Sequence, residues 1–319
     1  MTGRRVLVTG GAGFIGAHVV GALAERGDDV VIADWRPCAE GGVESVLVDL
    51  RDADVIDRVL PAGVDTVVHL AAATSVLRSV ERPVETFATN AAVTAGLLER
   101  ARQIGVRTFV FASSNAVVGV ADHVPLNEQS PLLPLTPYGA TKAAAEMLLS
   151  GYASAYGMRC PALRFTNVYG PSMGTKDSIV PRLMNAARSG STFEVYGDGR
   201  HVRDYVYVND VVSAVLLAMN ADASGPIVIG SGTSSSVLEL TTMVRDITGA
   251  PLRVRHVAPK PGEMARVVVD NSLAGRLLGW RPAVGLLDGL ARVWASWPDT
   301  ADVADVVGPV GAGPRVGSR

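Results

Sequence analysis

Gly10-Gly11-Ala12-Gly13-Phe14-Ile15-Gly16 is the stretch whose reading decides the fold. It follows an apolar run, Val6-Leu7-Val8, and precedes an Ala/Leu-rich stretch that closes at Gly27. A buried strand, a glycine turn and a helix over 14–26 with Gly27 at C′ account for every residue. The glycines tighten the turn, let backbone N–H groups approach a pyrophosphate, and let the helix pack on the strand. The helix N-terminus then faces the negative charge. Arg4-Arg5 and Ala22-Leu23-Ala24 around this region imitate a secretion signal, but Gly10, Gly11, Gly13, Gly16 and His18 interrupt its supposed apolar core. Strand, loop and helix explain those residues; a leader does not.

Outward from the loop the same alternation repeats. Short β-rich runs at 30–32, 46–48, 66–68, 108–111 and 160–165 alternate with helical stretches, among them a long one at 83–104 and another at 138–156. Continuous apolar strands separated by helices predict a parallel sheet covered on both faces, hence an α/β, doubly wound Rossmann fold. Beyond residue 165 the pattern breaks into Gly/Pro turns with helical stretches at 179–189, 210–219 and 236–248. The expected organisation is a dinucleotide-binding domain over 1–165 with 204–230 returning to it, and a smaller substrate lobe from 166–203 and 231–298. Residues 299–319, rich in Gly, Pro and Val without periodicity, read as a disordered tail.

Composition narrows the partners. In 319 residues, 48% hydrophobic supports a sizeable core, and a formal net charge of -2 gives no global field to attract nucleic acid or an anionic membrane. An anionic ligand must therefore be held locally. No stretch has the apolar length of a bilayer span. Cys38 and Cys160 lack metal-ligand spacing and read as free thiols of a cytoplasmic protein. No metal site is expected.

Asp34 ends the second strand, where a carboxylate accepts hydrogen bonds from an adenosine ribose diol and repels a 2′-phosphate, favouring NAD over NADP. Arg36 beside it reads as a solvated surface arginine. Asp49-Leu50, after the third strand, is placed to meet the adenine edge, or to cap a helix. The small residues Ala71-Ala72-Ala73 after the fourth strand let a cofactor lie against the chain.

The chemistry resides in Tyr138-Gly139-Ala140-Thr141-Lys142, whose i,i+4 spacing puts phenol and ammonium on one helix face. A free phenol, with a pKa of about 10, is a poor base at neutral pH. A nearby ammonium and a positive nicotinamide ring both stabilise the phenolate. Such a tyrosine can take or return the proton of a carbinol. Ser114, where Phe111-Ala112-Ser113-Ser114 reaches the carboxyl edge of the sheet, supplies a hydroxyl to the same oxygen.

These residues, with His69-Leu70-Ala71-Ala72-Ala73 and Arg164-Phe165-Thr166-Asn167-Val168-Tyr169-Gly170-Pro171, resemble the extended short-chain dehydrogenase/reductases. Within them the chain is similar to the nucleotide-sugar epimerase/dehydratase family, most like its UDP-glucose 4-epimerases, over about residues 4–297. The resemblance implies a tightly held NAD that oxidises a sugar C4 hydroxyl; the 4-keto sugar turns over and is reduced on its other face. It adds Leu70, Asn90, Ser113 and Phe165 to the cofactor contacts. It assigns Ser114, Asn115, Ile179 and Val180 to the sugar nucleotide, Asn167 and Arg203 to the diphosphate, and Tyr196 to the uracil. It also implies a homodimer packed through 83–104 and 138–156.

Several departures matter. Lys260 and Glu263 replace the family's usual Arg and Asp at the diphosphate and ribose, and lysine is a point charge rather than a fork. Val93 and Val118 stand where glycine and tyrosine are usual. Val267 falls at the position that gates substrate size. Asn115 and Ala116 occupy positions that carry acidic residues in the dehydratases, and neither can supply the acid or base for eliminating water. Epimerisation of a UDP-hexose or UDP-hexuronate is the expected reaction. A 4-ketoreductase, which should favour NADP, or a dehydratase of the same fold is the alternative, and a non-catalytic NAD-binding regulator a more distant one.

Overall fold

The computed structural model describes residues 3–298 except 39–42, 53, 120–124, 175 and 260–265. Its strands are β1 (Arg5–Thr9), β2 (Asp29–Asp34), β3 (Glu44–Leu47), β4 (Thr66–His69), β5 (Thr108–Ser114), β6 (Pro161–Phe165), β7 (Asn167–Tyr169), β8 (Thr192–Tyr196), β9 (Val202–Tyr207), β10 (Gly225–Ile229), β11 (Ser234–Ser236) and β12 (Arg253–Val257). Seven form one sheet in the order β10-β6-β5-β4-β1-β2-β3. Every neighbouring pair is parallel. The chain runs outward one way from β1 to β3 and the other way from β4 to β10, so the order reverses between β1 and β4. A crevice at the carboxyl ends of those two strands is where this doubly wound topology binds ligands.

Strand parity builds the two faces, because successive side chains point to opposite sides. Val6, Val8, Ile32, Val68, Val110, Ala112, Leu163 and Phe165 enter one buried cluster. Leu7, Val31, Ala33, Val67, Phe109, Phe111 and Ala162 enter the other, with Leu97, Leu98, Ala145 and Leu149 from the helices that cover it. A sheet buried on both faces reads as unbroken apolar runs rather than as alternation, which is why the sequence shows it plainly.

The helix expected over 83–104 is not regular. It runs as Pro83–Phe87, a π-helical turn Ala88–Ala92, and Val93–Gln103. The π turn carries Asn90, buried, with its amide fixed to a loop across the site. Ladder irregularities of this kind recur at functional sites.

The chain divides into two compact units: Met1–Val168, His201–Ser235 and Pro261–Leu286 in the first; Tyr169–Arg200, Ser236–Lys260 and Leu287–Arg319 in the second. The sequence grouped 231–298 with the substrate lobe, whereas Ala274, Leu278 and Trp280 pack into the first unit's core beside Ile227 and Ile229. The Trp280 indole donates to Asp210 O at 2.8 Å and so anchors that segment. In the second unit β8 and β12 pair in parallel, and Arg188 lies 4.2 Å from the centre of the Trp294 ring. Among the described residues no helix is long and apolar enough to cross a membrane.

Candidate active site

The glycine loop lies at the switch point. Gly10 adopts φ +74, and a Cβ there would fall 2.7 Å from Ala71 N. Gly16 needs no special φ, but its Cβ would stand 2.0 Å from Gly10 O. The first glycine allows the turn and the close approach of the Ala71 backbone; the last lets the helix Phe14–Glu25 close onto the loop. That helix has no side-chain cap at Gly13 and no acidic residue in its first turn. Its leading N–H groups and positive dipole end suit an anion, as a dinucleotide pyrophosphate requires. Ile15 packs down onto the core, and Phe14 stands edge-on to His18. Asp34, buried, accepts from Ala12 N and Arg36 N, both at 3.0 Å. Each carboxylate oxygen keeps a lone pair, so fixing the loop and receiving a ribose diol are compatible.

Below the loop, His69 links both sides of the crevice. Thr94 Oγ1 donates to Asn90 O, so it accepts from His69 Nε2, 2.9 Å away. His69 Nδ1 then accepts from Thr9 Oγ1 at 2.6 Å, and Thr9 Oγ1 accepts from Ala71 N at 3.3 Å. Every proton in the chain has one consistent place, which fixes the neutral Nε2–H tautomer. Burial, helped by the Lys142 charge, pushes His69 down to about 3. The unfolded histidine titrates near 6.5, so between about 3 and 6.5 only the unfolded state binds this proton. Stability therefore falls as pH drops through that window. His69→Gln should lose about 2 kcal/mol less than the native chain between pH 7 and pH 5, measured by chemical denaturation. An equal loss would remove His69 as a source of acid sensitivity.

Asn90 belongs to the same scaffold. Its Oδ1 accepts from Ala73 N at 2.8 Å, and its Nδ2 donates to Ala73 O and Thr141 Oγ1, both at 3.1 Å. The resemblance assigns Asn90 to the cofactor; both its amide protons are engaged here, one on Ala73 after β4 and one on Thr141 of the helix carrying Tyr138.

That helix, Pro137–Tyr156, begins with Thr136 as N-cap, accepting from Gly139 N, and Pro137 in its first turn. Gly139 is required by contact: a Cβ would lie 2.4 Å from Ala116 O in the turn that follows β5. Tyr138, Lys142 and Glu146 follow at successive turns on one face, and all three are buried. Burial raises the Tyr138 phenol above its ordinary range, while its hydrogen bond with Ser114 pulls the other way. Ser114 Oγ also accepts from Ala116 N at 3.2 Å. Lys142 Nζ donates to Ala112 O at 2.7 Å and lies 4.6 Å from the centre of the Phe111 ring. Desolvation lowers Lys142 to about 7, against an upward pull from Glu146. The sequence expects the ammonium to tune the phenol; Nζ is seated on the β5 backbone, and burial is the largest influence on the Tyr138 phenol.

Glu146 was not foreseen. Arg164 Nε and Nη2 grip its carboxylate at 2.9 and 2.7 Å, and Ser113 Oγ donates to Oε1 at 2.5 Å. The side chain of Ser113 thus turns to the helix side. Its parity with Phe109 and Phe111 could have shown this, and so could the repetition of the i,i+4 step from Lys142.

The remaining expected residues are scattered in their engagement. Asp49 does not cap a helix; its carboxylate is held by Arg51, whose hydrogen bonds keep it below the usual carboxylate range. Leu50 packs against the core, Leu70 donates its N–H to Thr9 O, and Ala71 and Ala72 are half-buried, with the Ala71 backbone close to Gly10. Phe165 ends β6 in the core. Asn115 opens the short turn after Ser114, its Oδ1 3.5 Å from Ser114 Oγ. Asn167 Nδ2 donates to Asp204 O at 2.9 Å, and Arg203 Nη1 donates to Val202 O at 2.9 Å. In the second unit, Ile179 and Val180 begin the helix Ile179–Ser189, and Tyr196 ends β8 with Arg182 5.5 Å from its ring centre. Val267 is fully buried among Val117, Val118, Leu126 and Ala143, so it borders no open space. Lys260 and Glu263 lie outside the described residues.

A model of the NAD dependent epimerase/dehydratase family matches residues 6–230. The UDP-glucose 4-epimerase of Mycolicibacterium smegmatis is 36% identical over 302 residues, covering 90% of this chain and 96% of that protein. Among solved structures, the Thermotoga maritima UDP-glucose 4-epimerase with UDP-glucose superposes with a TM-score of 0.88 at 33% identity, covering 92% of this chain and 98% of the other. A dTDP-glucose 4,6-dehydratase from Streptomyces venezuelae with NAD gives 0.85 at 34% identity, covering 92% and 96%.

Proposed function

The chain belongs to the NAD-dependent epimerase/dehydratase family, and on that premise we propose that it inverts C4 of a nucleoside-diphosphate hexose or hexuronate, with UDP as the nucleotide. NAD, held by the glycine loop and Asp34, supplies reversible two-electron oxidation of the carbinol. The chain supplies the proton chemistry. Tyr138 takes the C4 hydroxyl proton and returns it after the 4-keto sugar has turned, while Ser114 holds the same oxygen. Lys142 gives the pocket its positive charge and is assigned to the nicotinamide ribose. Asn167 and Arg203 are assigned to the diphosphate, where a guanidinium can bind two oxygens at once.

One observation carries the choice of epimerisation over dehydration. Eliminating water needs a second acid or base beside Tyr138, and Asn115 and Ala116 follow Ser114 instead. The carboxylate one turn beyond Lys142, Glu146, is saturated by Arg164 and Ser113. The protein should therefore carry NAD on purification and interconvert a UDP-hexose with its C4 epimer without net consumption of cofactor. Mass spectrometry of co-purified ligands, then incubation with UDP-, dTDP- and GDP-sugars, tests this. Stoichiometric cofactor reduction with a stable oxidised or dehydrated product would overturn it.

Two coarser assignments accompany this one. Val80, Val84, Phe87, Met147 and Tyr156 are exposed on neighbouring helices of the first unit, an apolar surface that a second copy would cover. A homodimer accounts for it, and sedimentation of the purified protein tests that assembly. The cytoplasm suits the free thiols Cys38 and Cys160.

A further inference from the structure

The described part of the first unit holds one ion pair with both members almost fully buried: Glu146–Arg164, at 2% and 3% side-chain exposure. A buried pair of this kind is a weak source of stability, since desolvation cancels much of the attraction. Its position is more informative than its energy. Glu146 stands one helical turn past Lys142 on the same face, and Arg164 comes from β6 directly beside Ser113, its register partner on β5. Arg164 also reaches Asn127 O and Glu128 O at 3.5 and 3.4 Å. The pair therefore ties the catalytic helix to the two strands beneath it.

The chain has only three lysines, Lys142, Lys176 and Lys260, although it has 29 basic Lys and Arg residues in all. A cation that can lose its proton is thus rare here, and one of the three is buried at the site. The groups that act on Lys142 are the neutral His69 from β4, Glu146 from its own helix, and the Phe111 ring and Ala112 carbonyl from β5; Tyr138 stands one turn earlier on the same helix face, and Arg164 from β6 reaches the site through Glu146. Among the described residues on that roll, Glu146 is the one anion.

We propose that Glu146 is a positioning residue that keeps the Lys142 ammonium charged, with Arg164 holding the carboxylate in place and limiting its strength. The inference rests on the catalytic reading of Lys142 but not on the identity of the sugar. Its logic is electrostatic. Desolvation alone favours neutral lysine; the Glu146 charge opposes it; Arg164 offsets part of that opposition. Removing Glu146 leaves the desolvated lysine without its opposing anion, and removing Arg164 leaves that anion without its partner.

With three lysines, the protein labelled with ¹³C at lysine Cε gives three signals, and Lys142→Met identifies that of Lys142. In the NAD-loaded protein, Glu146→Gln should lower the Lys142 midpoint by about one pH unit or more, and Arg164→Met should raise it. The double variant Glu146→Gln/Arg164→Met should return most of the way. The alkaline limb of activity should move with the midpoint, because the charged lysine is lost as pH rises. A role confined to packing predicts an unmoved midpoint, or the same shift in both single variants, and either result overturns the proposal. If Glu146→Gln does not fold, the opposite shifts of Arg164→Met and the double variant still decide it. Failure of every nucleotide sugar to turn over would count against the proposed reaction while leaving the Lys142 titration to be read on its own.

Discussion

Tyr138→Phe should reduce turnover of the preferred nucleotide sugar by at least about 100-fold, the lower end of what positioned proton transfer contributes. The protein should remain folded with NAD bound. The substitution keeps the ring, which is buried at the start of the helix Pro137–Tyr156, and deletes only the hydroxyl. That hydroxyl's partner is Ser114, which also accepts from Ala116 N and so is not orphaned. The stability change should stay within about 1 kcal/mol, the net worth of one hydrogen bond. Steady-state kinetics and a thermal melt on the same preparation separate the two effects. Activity within tenfold of the native chain would remove Tyr138 from the proton transfer. A large loss of stability would instead make the phenol a packing element.

This prediction draws on residues that were readable in the chain, because their chemistry depends on local spacing. Tyr138 and Lys142 share a helix face by their separation of four, and the glycine loop lies between an apolar run and a helical one. The doubly wound sheet was equally readable, since strands buried on both faces leave uninterrupted apolar runs. Contacts between distant segments were harder. His69, Thr9 and the Asn90/Thr94 pair come from three separate stretches of the chain, and nothing in their sequence separation announces the hydrogen-bonded chain that links them. The π turn at Ala88–Ala92 was hidden because its residues have ordinary helical character; the tertiary demand of Asn90 on Ala73 and Thr141 accompanies the irregularity there. Glu146 falls between these cases. Its spacing was visible, but its meaning required Arg164 and Ser113, which face it only once β5 and β6 are in register. The same parity turns the Ser113 side chain to the helix side.

The other large effect concerns the loop on which the fold reading began. Gly16→Ala should weaken NAD binding by more than about 100-fold, equivalent to roughly 3 kcal/mol. The added Cβ would meet Gly10 O at 2.0 Å, Gly11 Cα at 2.8 Å and Gly10 C at 2.9 Å. All three are backbone atoms of the turn itself, so no side-chain rotation relieves the clash. The helix Phe14–Glu25 must back away, and its uncapped N-terminal N–H groups leave the position that suits a pyrophosphate. Gly21 in the same helix supplies the control, since a Cβ there meets nothing within 4 Å. Gly21→Ala should leave NAD binding unchanged and stabilise the helix by about 0.5–1 kcal/mol. The same chemical change in one helix thus has opposite signs five residues apart, decided only by what stands opposite the new methyl group. Co-purified NAD and the melting temperature of each variant read both effects. Native affinity in Gly16→Ala would show that the helix N-terminus is not where the dinucleotide is held.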